Sequence, residues 1–122
     1  MYPQLIPAAN VLETSLNNMN TVVHPLPVLL NAGRIESREQ YRHYMDGITP
    51  SIGDLIEQMD QERLAVGRAY GLDILSLRDA YVHYYHVQAE KMSDLCHLST
   101  AHAGIMAPTK LDSRLIVEDV PM

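Results

Sequence analysis

Between residues 12 and 25 the chain specifies a helix and then forbids its continuation. Leu12, Leu16, Met19 and Val23 recur at steps of four, three and four, the spacing that lines one side of an α-helix. Pro25 and Pro27 follow at once. Each lacks an amide proton, so the helix must end or kink there. The residue before a proline is pushed away from helical geometry, which puts His24 at or near the break.

The remaining segments also read as helix. Residues 1–10 contain Pro3 and Pro7 and form an extended lead-in. A shorter helix runs through Val28, Leu29, Leu30 and Ala32, with Gly33 or the residues after it near its end. Thr49-Pro50 is a helix start, with a capping hydroxyl before a proline at the first helical position. Ile52, Leu55, Ile56 and Met59 are its buried stripe, and Gly71 is its natural C-terminal cap. That helix has about 20 residues and a length of about 30 Å. Ser76 and Asp79 form a capping box for a helix whose buried face is Leu77, Ala80, Tyr81, Tyr84 and Tyr85. A further short helix is expected around residues 90–98. Ala103 to Thr109, with Gly104 and Pro108, reads as loop. No segment has the period-two pattern of a strand, so the class is all-α. With 122 residues, the expectation is one helical domain, 1–122.

Composition narrows the function classes. Tyr is the only aromatic, and seven Met join Leu and Val in filling the core. The net charge of -6 and the scattered Lys and Arg argue against nucleic-acid binding. A single cysteine, Cys96, allows no internal disulfide and points to a reducing compartment. No apolar run reaches the roughly 18 residues needed to span a bilayer, and Met1-Tyr2-Pro3 does not open a signal peptide. A cytoplasmic location is the expectation. Glu57, Asp60, Glu62 and Arg63 read as a solvated helix face.

Chemistry concentrates at Asn17-Asn18-Met19-Asn20-Thr21-Val22-Val23-His24. Asn17, Asn20 and His24 fall at i, i+3 and i+7 and would project from one helix face. Asn competes with the backbone for hydrogen bonds, so this run costs helix propensity. Either a functional face or a solvated polar face opposite the stripe accounts for it. His24 needs a carboxylate on its second nitrogen to act as general acid or base. Asp119 is one of fifteen acidic candidates, and periodicity does not choose among them. His83, His86, His97 and His102 carry weaker signals, because zinc sites need three or four convergent ligands and Cys96 stands alone. The Tyr81, Tyr84, Tyr85 group reads as core packing rather than a stacking platform.

The run Asn20-Thr21-Val22-Val23-His24-Pro25, followed by Leu29-Leu30-Asn31-Ala32-Gly33-Arg34-Ile35-Glu36, resembles the α-helical domain of the octopine and nopaline (opine) dehydrogenases. Thr49-Pro50, Asp60-Gln61-Glu62-Arg63, Ala107-Pro108 and Arg114…Glu118-Asp119-Val120-Pro121 match that family in order and approximate spacing. The resemblance covers about residues 10–121. It implies a helical bundle like the C-terminal domain of 6-phosphogluconate-dehydrogenase-like enzymes, shortened at its C-terminal end.

The resemblance also implies a function. Such enzymes pair an N-terminal Rossmann domain, which binds NAD or NADP, with a helical domain that closes over the substrate. They reductively condense an amino acid with an α-keto acid. On this pattern His24 is the acid–base residue, Asp119 pairs with it, Arg114 holds a substrate carboxylate and Asn20 lines the same cleft. The chain departs from the pattern in lacking a strand followed by G-x-G-x-x-G, so the Rossmann domain and the main cofactor site are expected elsewhere. It is expected to be inactive alone and to cover its exposed stripes by forming a homodimer. Two rival readings stay open. One is a ketopantoate-type 2-hydroxy-acid reductase domain; the other is a stand-alone helical dimerisation or binding module.

Overall fold

A computed structural model describes residues 6–119. Its elements are α1 (Val11–Leu16), α2 (Asn20–Val23), α3 (Pro25–Leu30), α4 (Ala32–Glu36), α5 (Pro50–Ala69), α6 (Leu77–Tyr85), α7 (Met92–Leu98), a 3₁₀ turn (Thr100–His102) and α8 (Arg114–Val117). Among the described residues there is no strand, only an isolated antiparallel bridge between Arg42 and Met106. The expected all-α class holds. Pro3 in the lead-in, and Val120 and Pro121 in the closing motif, lie outside the described residues.

Helix α5 is the spine. Thr49 caps its N-terminus, accepting from the Ile52 amide, and Pro50 opens it. At the far end Gly71 takes φ 70°. The Gly71 amide donates to the Arg68 carbonyl and the Leu72 amide to that of Gly67, at 3.0 and 2.9 Å, which completes a Schellman cap. Helices α1, α2, α3 and α7 all pack on α5, and α6 packs on α7. A Cβ on Gly53 would sit 2.7 Å from the Ser93 amide nitrogen, so glycine is what lets α7 approach α5 this closely. One apolar cluster joins Val22, Val23, Tyr44, Ile48, Ile52, Ile56, Leu77, Tyr81, Met92, Leu95 and Cys96. A second joins Val28, Ile35 and Tyr41, with Leu115 and Ile116 of α8 packed against it.

Several expectations are corrected. The stripe from Leu12 to Val23 does not lie on one helix. Asn17 caps α1, and its side-chain oxygen accepts from the Leu75 amide at 3.0 Å. Asn18 accepts from the Asn20 amide at 3.1 Å. These bonds give the backbone an alternative to helix, which is the competition expected of Asn. Asn17 therefore shares no helix face with Asn20 and His24. The helix expected through Val28 to Ala32 is interrupted at Asn31, and Gly33 lies within α4, which ends at Glu36. The Asn31 side-chain Nδ2 donates to the carbonyls of Pro27 and Gly47 at 2.8 and 2.9 Å.

Asp60 and Arg63 are buried rather than solvated, at 2% and 8% exposure. The Asp60 carboxylate accepts from Arg63 Nε at 2.9 Å and from the Leu77 amide at 2.8 Å. Arg63 also donates to the carbonyls of Leu16 and Leu75. This network ties α5 to the end of α1 and to the start of α6. Leu55, Tyr84 and Tyr85 are exposed, although each was expected in a buried face. Tyr81 alone of the tyrosine group is core.

Candidate active site

His24 stands at the seam between α2 and α3, the C-cap of one and the N-cap of the next. Its backbone nevertheless stays in the helical region, at φ -97° and ψ -56°, so the proline bends the chain without forcing an extended residue. Pro25, Pro27 and Val28 are buried beside it and hold the seam in place.

Asp119 arrives from the other end of the chain. Leu115 and Ile116 pack into the second apolar cluster and seat α8 against α3. Asp119 follows that anchor. Its Oδ2 lies 2.9 Å from His24 Nδ1, across 95 residues of sequence. The two side chains are 15% and 13% exposed, so the pair is largely withdrawn from water. An ionised carboxylate only accepts, so Nδ1 carries a proton and donates to it. That fixes the tautomer and leaves Nε2 as the nitrogen able to exchange a proton elsewhere.

Nε2 lies 2.9 Å from the hydroxyl of Tyr44. Tyr44 sits in the turn that follows α4. Arg42 braces that turn by donating to Asp46 through its amide and its guanidinium, at 2.8 to 3.0 Å. The His43 amide donates to the Ile105 carbonyl at 2.8 Å and ties the turn to the loop before α8. The Tyr44 ring stacks on His102 at 4.5 Å and 20°, and meets the edge of His43 at 4.8 Å. Burial holds the Tyr44 phenol well above the usual tyrosine range. Burial likewise lowers His43 to about 4, and its Nε2–H donates to the Val23 carbonyl. His102 is lowered too, by burial first and then by the nearby His24.

A cleft of about 70 Å³ opens beside these rings. Asn20, Tyr44, Tyr81, Tyr85 and His102 line it with Met19 and Leu77. Asn20 borders this cleft, and His24 reaches it only through its bond to Tyr44. Arg114 is not among the lining residues; its side chain is 74% exposed and its Nε lies 3.5 Å from Glu118. Tyr44, His43 and His102 were missed in the sequence. The turn holding His43 and Tyr44 has no apolar period, and His102 looked like one unremarkable histidine among six.

The fold and the histidine–carboxylate pair define an all-α domain with acid–base capacity. Residues 7–122 match the family described as NAD/NADP octopine/nopaline dehydrogenase, alpha-helical domain, and the chain belongs to it. It is 42% identical over 118 residues to a protein named opine dehydrogenase from Arthrobacter sp. (strain 1C), a match covering 97% of this chain and 33% of that protein. The chain thus spans about a third of the length of the curated relative it matches.

Proposed function

We propose that this chain is the substrate-binding and acid–base part of an oxidoreductase that reductively condenses an amino acid with an α-keto acid, using NAD or NADP. The observation that carries the reading is the 2.9 Å bond between His24 Nδ1 and Asp119. Two residues far apart in sequence, singled out by one family motif at each end, meet in a half-buried pair.

The dinucleotide does not fit this chain. Among the described residues there is no strand-loop-helix cradle for a pyrophosphate, and the cleft lined by Tyr44 and Asn20 is far too small for a dinucleotide. In this reading a Rossmann domain holds the cofactor. The chain's own residues bind, orient and move a proton. Charge developing on the substrate nitrogen or oxygen during reduction has to be met by a proton, and a positioned histidine is suited to deliver it. Asp119 holds the ring in one tautomer and meets the positive charge when the ring is protonated. Arg114, exposed on α8, would have to exchange its pairing with Glu118 for a substrate carboxylate, which its planar guanidinium would bind in bidentate fashion. Asn20 would contact the same substrate from the cleft wall.

The isolated chain should be inactive, and we propose that it self-associates as a homodimer. A reducing cytoplasmic setting agrees with Cys96, a buried thiol pushed up to about 11 by its surroundings. Among the described residues, no helix is long and apolar enough to cross a membrane.

The test is NADH and NADPH oxidation by this domain joined to its dinucleotide-binding domain, with an α-keto acid, in the presence and absence of amino acids. Turnover that requires the amine supports the reading. Equal turnover without amine sinks it in favour of a 2-hydroxy-acid reductase.

A further inference from the structure

We propose that Tyr44 is the proton relay between His24 and the substrate cleft. The inference rests on the acid–base reading of His24 and adds a residue that no family motif above contains.

Nδ1 of His24 is committed to Asp119 at 2.9 Å. Any proton that His24 gives or takes must therefore pass through Nε2. That nitrogen faces the Tyr44 hydroxyl, also at 2.9 Å. A general acid has to reach the reacting atom directly or through one intervening group. Here the intervening group is already in place.

Tyr44 is poorly able to move aside. It is 3% exposed and belongs to the main core cluster. Its ring is held between the face of His102 and the edge of His43. Swinging it out would expose the ring and break both contacts. Yet Tyr44 also lines the cleft that Asn20 lines. One residue thus touches the histidine and borders the cleft that Asn20 lines.

A phenol suits the task because its oxygen accepts and donates at once. In the reductive direction His24 Nε2–H passes its proton to the Tyr44 oxygen. The Tyr44 hydroxyl proton moves at the same time to the substrate nitrogen or oxygen. The phenol ends neutral, the imidazole ends neutral, and one proton has left His24. The reverse oxidation runs the same path backwards. Burial keeps the phenol protonated, so it does not become a trapped tyrosinate.

The test is Tyr44→Phe, which keeps the core ring and removes only the hydroxyl. It is made in the domain joined to its dinucleotide-binding domain, alongside His24→Ala and the double variant. A relay predicts that Tyr44→Phe lowers kcat about 100-fold with KM within a few-fold of wild type, as general acid–base catalysis requires. The double variant should be no slower than His24→Ala alone, because both changes cut one path. A Tyr44→Phe enzyme with wild-type kcat, or losses that multiply in the double variant, would overturn the relay. If the wild type shows no amine-dependent turnover, the reaction assigned above falls and the relay falls with it. Nitrogen NMR of the chain checks the contact separately. Loss of the hydroxyl should move the His24 Nε2 resonance and leave Nδ1 in place, and an unmoved Nε2 resonance refutes the bond on which the relay depends.

Discussion

Replacing Asp119 with asparagine isolates the contribution of one charge at fixed shape. Oδ2 lies 2.9 Å from His24 Nδ1, and both side chains are mostly shielded from water. A hydrogen bond to a charged partner in such a place is worth about 1.5–3 kcal/mol. If that energy is used in the transition state, its loss slows kcat by about 10- to 150-fold, at roughly 1.4 kcal/mol per tenfold. There is a second effect. An amide is able to donate to Nδ1, which drives the ring proton to Nε2 and against the Tyr44 oxygen. Nitrogen NMR should therefore find the neutral ring protonated at Nδ1 in the wild type and at Nε2 in Asp119→Asn. Steady-state kinetics on the domain joined to its dinucleotide-binding domain should show the loss in kcat with KM little changed. A variant that keeps wild-type kcat, or that loses only substrate affinity, would refute the pairing as a catalytic device.

Three further outcomes follow from the same structure. His43 binds its proton in the unfolded chain near its ordinary value of about 6.5 but in the folded chain only at about 4. Its contribution to stability is complete above the unfolded value and is lost as pH falls through the folded one, about 3 kcal/mol over that window; denaturant melts between pH 7 and pH 4 should show the decline, and His43→Gln should flatten it. Asp60→Ala leaves Arg63 buried without its carboxylate and should cost about 3–5 kcal/mol in urea unfolding, while replacing both partners with apolar residues should cost markedly less. Exposed Leu29 and Leu30 on α3 and Leu98 on α7 leave apolar surface uncovered; sedimentation of the isolated chain should show a dimer at high concentration, and monomer alone would contradict that.

What was legible in the sequence depended on whether a residue's role was local. The caps at Thr49, Ser76 and Gly71 were readable because each cap is made within a few residues of itself. The seam at His24 was readable because proline chemistry is local too. The Asn17–Asn20 interruption was half legible. The propensity cost was visible, but the partner that Asn17 bonds, Leu75, lies 58 residues away. Asp60 and Arg63 were misread because charge outweighed position. Ile52, Ile56, Asp60, Arg63 and Gly67 continue one buried stripe at steps of four, four, three and four, and that spacing was the signal to heed. The pairing of His24 with Asp119 came only from the family resemblance, since no periodicity links residues so far apart. Tyr44 escaped both routes. Its turn has no helical pattern, and its importance arises only when the Arg42–Asp46 brace and the loop near Ile105 fold it against His24.

The proposed reaction depends most on His24 acting as the proton source in an amine-dependent reduction. The decisive measurement is the kcat of His24→Asn in the domain joined to its dinucleotide-binding domain, with dinucleotide affinity measured in parallel. A proton source at His24 requires a loss of about 100-fold or more in kcat with dinucleotide affinity unchanged. Turnover within a few-fold of wild type would contradict it and leave the histidine a structural joint between two helices.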